Sequence, residues 1–176
     1  MRRLMRSLGL ALAAASISAT SAMSSDQLSN GTQRGLALRQ KYNVRIPHSD
    51  RAIYVHTFAV HHLSDEYSTI AWRDEAGRWQ ISIMGEQGPG LLTVPFELIA
   101  EEGSTVSLTD GTKLDQLLDG RALYCEKPRS KEKNLGVGAP EHTMEIVTPR
   151  GHKVVTWRGR LVGRAGHIAD IVLGRG

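Results

Sequence analysis

The chain has 176 residues, with 22 Lys and Arg against 18 Asp and Glu, seven His and one Cys. That length bounds it to a single ordinary domain, and a lone cysteine excludes a scaffold stapled by disulfides. Arg2, Arg3 and Arg6 carry much of the basic excess; residues 23–176 hold 19 basic and 18 acidic side chains, no footprint for nucleic acid.

Residues 1–22 read as a cleavable export signal. Met1 to Arg6 contains three arginines and no acid, Leu8 to Ile17 is a continuous apolar run, and Thr20-Ser21-Ala22 is the best cleavage site, ahead of Ile17-Ser18-Ala19. Ten helical residues span about 15 Å, half of a hydrocarbon core, which disfavours a membrane anchor. The mature protein is therefore expected to be periplasmic or secreted, with no transmembrane segment after cleavage. Residues 23–50 are polar and read as a partly mobile lead-in with a short helix near Leu36 to Tyr42. Residues 51–176 read as one globular domain.

Ile53 to Leu63 alternates like a strand, placing Tyr54, His56, Phe58, Val60 and His62 on one face. Ser68–Arg73 and Arg78–Met84 then flank Asp74-Glu75-Ala76-Gly77 as a hairpin. A four-residue loop pairs Trp72 with Trp79 and Ile70 with Ile81 and gathers the apolar residues on one face; a three-residue loop pairs Trp72 with Gln80 and Ile70 with Ser82. Since a one-residue slip reverses every side chain, the apolar pattern selects the first register. Gly85 to Gly90 is a turn without the Lys or spacing of a phosphate cradle. Leu91 to Ala100 fits strand or helix, interrupted by Pro95.

Thr105 to Leu108 suggests a short strand. A helix is expected from Thr112, with Leu114, Leu117 and Leu118 on its core face and Gly120 as its stop. Arg121 to Cys125 suggests another strand, and Glu126 to Glu141 a mobile loop. His142–Thr148 and His152–Arg158 form a second hairpin; Pro149-Arg150-Gly151 as a three-residue loop pairs Ile146 with Val154 and Met144 with Thr156. Ile168 to Leu173 completes the chain as a last strand after a glycine-rich bend. Seven to nine strands in hairpin order, with one or two short helices, predict an α+β or mainly-β antiparallel domain.

Charge is segregated: +3 over residues 23–49, −8 over 50–126 and +6 over 127–176. Complementary rims packed against each other explain this first; a basic face for an anionic partner is the functional alternative. Arg158, Arg160 and Arg164 are the candidate ligand-binding residues. On one continuous strand, Arg158 and Arg160 would form a two-arginine claw for a carboxylate or phosphate.

No catalytic or metal motif is present. His56 and His62 stand about 20 Å apart along a strand, and His61 points away from His62. No cofactor, metal or nucleic-acid partner is expected. Cys125 is expected to be buried and inert. The composite expectation is a non-enzymatic, envelope-associated binding domain whose partner is an anionic envelope component or another exported protein. The alternative is a small periplasmic enzyme, hydrolase-like or metal-dependent, with a site assembled from dispersed His, Asp and Glu. Its base or ligand would be His56, His61 or His62.

Overall fold

A computed structural model describes residues 28–61, 63–87, 97–131 and 139–175. The segment expected to be an export signal, residues 1–22, lies outside these residues, as do the side chains of His61 and His62 and the stretch from residue 88 to Phe96 that contains Pro95. Eight strands and four short helices are described, and the sheets are antiparallel as expected.

The elements run α1 (Asn30–Lys41), β1 (Ala52–His61), β2 (Leu63–Arg73), β3 (Trp79–Gln87), β4 (Glu97–Thr105), α2 (Leu108–Asp119), α3 (Arg121–Cys125), β5 (Arg129–Ser130), β6 (Glu141–Thr148), β7 (Gly151–Arg158), β8 (Leu161–Val162) and α4 (Gly163–Val172). Six strands make one sheet in the order β4-β3-β2-β1-β6-β7, and β5 pairs with β8 as a small ribbon. Helix α1 lies on one face, against β1, β2 and β6. Helices α2, α3 and α4 cover the other, so the domain is a three-layer sandwich.

The core lies between the sheet and α2, α3 and α4. Ile53, Val55, Ala71, Trp79, Ile81, Met144, Ile146, Val155 and Trp157 project from the strands to meet Leu114, Leu118, Leu123, Ile168 and Val172. Leu114 and Leu118 are buried as the helical spacing predicts. Helix α2 starts earlier than expected, capped by Ser107 rather than Thr112, because the Ser107 hydroxyl accepts from the Asp110 amide (3.1 Å).

Several expectations give way. Both hairpins take a different register: Trp72 pairs with Gln80 and Ile70 with Ser82, while Met144 pairs with Val155 and Ile146 with Lys153. The first loop is Glu75–Gly77, closed by the Asp74 amide on the Arg78 carbonyl (2.8 Å), with Gly77 at φ 75°. The second is Pro149–Arg150, tied by the Arg150 amide to the Thr148 hydroxyl (3.2 Å). Gathering the apolar residues on one face is not required in a sandwich, since apolar residues of either face find cover.

The chain from Ile53 to Leu63 is not one strand: β1 ends at His61 and β2 returns from Leu63. Thr105 closes β4 and Leu108 opens α2, so the short strand expected there is absent. Arg121–Cys125 and Gly163–Val172 are helical rather than extended. In α4, Ala165, Ile168, Ala169 and Val172 follow helical spacing and are all buried, and this buried face outweighs the intrinsic cost of two glycines. Cys125 is exposed, at the end of α3. Helix α1 is longer than the short helix expected near Leu36 and is docked on the sheet.

Candidate functional site

The three candidate arginines occupy different settings. β7 ends at Arg158, and Gly159 at φ 74° turns the chain, so Arg158 and Arg160 do not extend from one strand and no claw forms. Arg158 pairs with Glu141 across the hairpin (3.0 Å), and Arg164 pairs with Glu126 (3.3 Å). Arg160 keeps a looser contact with Asp170 (3.8 Å) and leaves most of its side chain exposed.

Internal pairing absorbs much of the segregated charge. Arg34 pairs with Glu66 (3.7 Å) and Lys41 with Glu86 from the N-terminal side, and Arg150 holds Asp119 (3.2 Å) and Arg164 holds Glu126 (3.3 Å) from the C-terminal side. The acidic middle of the chain thus meets the basic segments on both sides of it, as the complementary-rim explanation expects.

Arg160 is the exception, because it stands at an open cleft of about 450 Å³. Pro140, His142, Trp157, Asp170 and Arg175 line that cleft with it. β6 and β7 supply its aromatic wall, where the His142 and Trp157 rings stack at 4.9 Å between centroids. Helix α4 supplies Asp170, and the chain just beyond α4 supplies Arg175, whose amide donates to the Asp170 carbonyl (2.7 Å). Arg160 and Arg175 thus line one cleft with Asp170, the one carboxylate among the described residues lining it, on a surface of mixed polar and apolar character.

His142 does not add to that charge. Burial, followed by the nearby Arg175 and His56, pushes its pKa down to about 4. Its Nδ1 lies 2.8 Å from the Thr57 hydroxyl. Near neutral pH the imidazole is uncharged, and it is too weak a base to take a proton from an ordinary hydroxyl.

A second polar region lies beneath α1. His56 Nε2 contacts Glu66 Oε1 at 2.5 Å, with Arg34 3.7 Å from the same oxygen. The His56 contact opposes the effect of burial and holds the Glu66 carboxyl below its usual range. Arg39 is fully buried and donates four hydrogen bonds, to the hydroxyls of Ser68 and Ser82 (2.9 Å each) and to their carbonyls (2.7 Å each). Desolvation lowers its pKa to about 10, so it remains charged at neutral pH. Glu145 is also fully buried. It accepts from the Ser29 amide (2.8 Å) and hydroxyl (2.7 Å), and its other oxygen lies 2.5 Å from His152. Burial works to raise its pKa, yet hydrogen bonds from Thr32, Ser29 and His152 keep the carboxyl below the ordinary value.

This seam is closed to substrates: His56 is 5% exposed, and the gap beside it has an empty volume of only about 150 Å³. The His56–Glu66 pair bridges β1 and β2, and Arg34 of α1 reaches the same Glu66 oxygen. Among the described residues, no three His, Cys, Asp or Glu converge as a metal-ligand set, and no helix is long and apolar enough to cross a membrane.

Of the cleft residues, only Arg160 stands out in the sequence as a ligand group. Asp170 and Arg175 are invisible while residues 168–173 are read as a strand; the spacing of Ala165, Ile168, Ala169 and Val172 is the signal that would have found their helix. The chain matches no known family model, no curated protein and no solved structure.

Proposed function

We propose that the protein is an exported, non-enzymatic binding domain that holds an anionic ligand in the cleft between α4 and the β6–β7 hairpin. The observation that carries this reading is that Arg160 and Arg175 line one cleft with Asp170, the one carboxylate among the described residues lining it, beside Trp157 and Leu161. A concave space of a few hundred Å³ in which a few polar groups converge beside aromatic and aliphatic side chains is the usual form of a small-ligand site. Guanidinium groups match carboxylate and phosphate oxygens with paired donors.

The chemistry favours binding over catalysis. A catalytic cleft needs a group able to move a proton at working pH, and His142 is held neutral by burial while Asp170 faces Arg160. The two His–carboxylate pairs in the described residues, His56–Glu66 and His152–Glu145, both lie outside this cleft. Export places the ligand outside the cytoplasm, which points to an anionic component of the cell envelope.

Two measurements test this. Calorimetric titration of residues 23–176 with inorganic phosphate is expected to show saturable binding that Arg160→Ala weakens at least tenfold; binding unchanged by that substitution removes the cleft from consideration. N-terminal sequencing of protein recovered from the envelope fraction is expected to begin at Met23. An intact Met1 there would exclude the export signal as a cleaved segment.

A further inference from the structure

The cleft does not end at Arg160. On the far side of the Arg160 and Asp170 side chains lies a second groove of about 290 Å³, lined also by Lys131, Val162, Gly166 and His167. Arg160, Leu161 and Asp170 belong to both spaces, so the two are neighbours divided by a low ridge of side chains.

The β5–β8 ribbon fixes this arrangement. Arg129 pairs with Val162 and Ser130 with Leu161, and the Lys131 amide then donates to the Arg160 carbonyl at 3.1 Å. The Ser130 hydroxyl donates to the Arg158 carbonyl (2.8 Å), tying the same ribbon to the end of β7. Lys131 is thereby held beside Arg160 by backbone hydrogen bonds and not by chance proximity of long side chains. Three cations, Lys131, Arg160 and Arg175, thus border the two spaces, with Asp170 the one carboxylate among the described residues that line them.

We propose that the cleft and the groove form one continuous track for a linear chain of phosphate groups, with Arg175 and Arg160 serving the first anionic group and Arg160 and Lys131 the next. This rests on the cleft being an anion site and extends it to the class of ligand. A tetrahedral phosphate offers oxygens to both sides of the Arg160 ridge, whereas a planar carboxylate presents its pair in a single plane. Lys131 suits the second position because an ammonium group acts as a point charge and accepts any phosphate approach. Its side chain is exposed, so it can be changed without disturbing the core.

The test compares inorganic phosphate, tripolyphosphate and tricarballylate on the mature domain, titrated by calorimetry at about 0.15 M salt, where long-range attraction is largely screened. Tripolyphosphate is expected to bind at least tenfold more tightly than phosphate. Lys131→Ala should remove most of that advantage while leaving phosphate affinity within twofold of the native value, and Lys131→Glu should remove all of it. Tripolyphosphate binding that is lost in Arg160→Ala but indifferent to both Lys131 variants overturns the track and leaves the single cleft standing. Phosphate binding indifferent to Arg160→Ala overturns the cleft itself, and tricarballylate binding as tightly as tripolyphosphate overturns the choice of phosphate.

Discussion

On one face of the six-stranded sheet, Leu114, Leu118, Ile168 and Val172 press against Ile53, Met144 and Ile146, all close to fully buried. On the other, α1 meets the strands through Arg39, His56, Glu66, Glu86 and Glu145, with a small apolar cluster of Leu38, Val44 and Met84. Apolar burial is non-directional and roughly proportional to area, so the first face supplies stability and tolerates small changes of angle. Hydrogen-bonded and ionic burial pays back only in the right geometry and leaves costly orphans when one partner goes. The second face therefore fixes where α1 sits more than how strongly the domain holds together.

Three perturbations should separate the faces. Leu118→Ala should have the largest effect, about 2–5 kcal/mol of global stability in denaturant unfolding, because it opens a cavity at the centre of the core. A loss below about 1 kcal/mol would mean that this core is not the main source of stability. Arg39→Ala should cost less, about 1–3 kcal/mol, by leaving the oxygens of Ser68 and Ser82 without their donor. Its signature should be local: amide exchange should speed up across Asn30–Lys41 and change little in β6. Uniform acceleration over the whole sheet would show that α1 belongs to the same cooperative unit as the core.

Acid should distinguish the faces by pH. The folded pKa of His142 is depressed from 6.5 to about 4, so its contribution is complete above pH 6.5 and is lost as pH falls towards 4, where only the unfolded chain gains the proton. The carboxyls of Glu66 and Glu145 are also depressed, so theirs is present above the ordinary value near 4.5 and is lost below it. Stability should decline in two stages, the upper one on the order of 1–2 kcal/mol once access of water through the cleft is allowed for. His142→Gln should abolish the upper stage and spare the lower one. A single decline beginning below pH 4.5 in the native protein would exclude the His142 contribution.

The difference between the faces also explains which elements were legible. Leu114 and Leu118 announce α2 because an apolar stripe at helical spacing needs only a surface to bury it. Alternation in 53–61 and 142–148 announces strands for the same reason. The first hairpin's register is not set by one apolar face, because Trp79 and Ile81 are buried against the helices while Ile70 is buried on the side of α1. Helix α4 is hard to read because Gly163 and Gly166 suggest a bend, while the helical spacing of Ala165, Ile168, Ala169 and Val172 counts only once a surface buries it. The seam under α1 has almost no sequence signal: an arginine, two serines, a histidine and three glutamates scattered over residues 39–145 look like solvent-facing residues until the fold encloses them.

By itself, the sequence determined the antiparallel class, most strand locations, the core face of α2 and the presence of an unusual basic segment near the C-terminus. These follow from local periodicity and composition, which act over a few residues. The tertiary structure decided the register of both hairpins, the docking of α1 and the isolation of Arg160 from Arg158 and Arg164. It also brought Lys131 and Arg175 to either side of Arg160. Each of these depends on which surfaces end up covered and which charges find partners at sequence separations of 17 to 116, and neither can be read from neighbours in the chain.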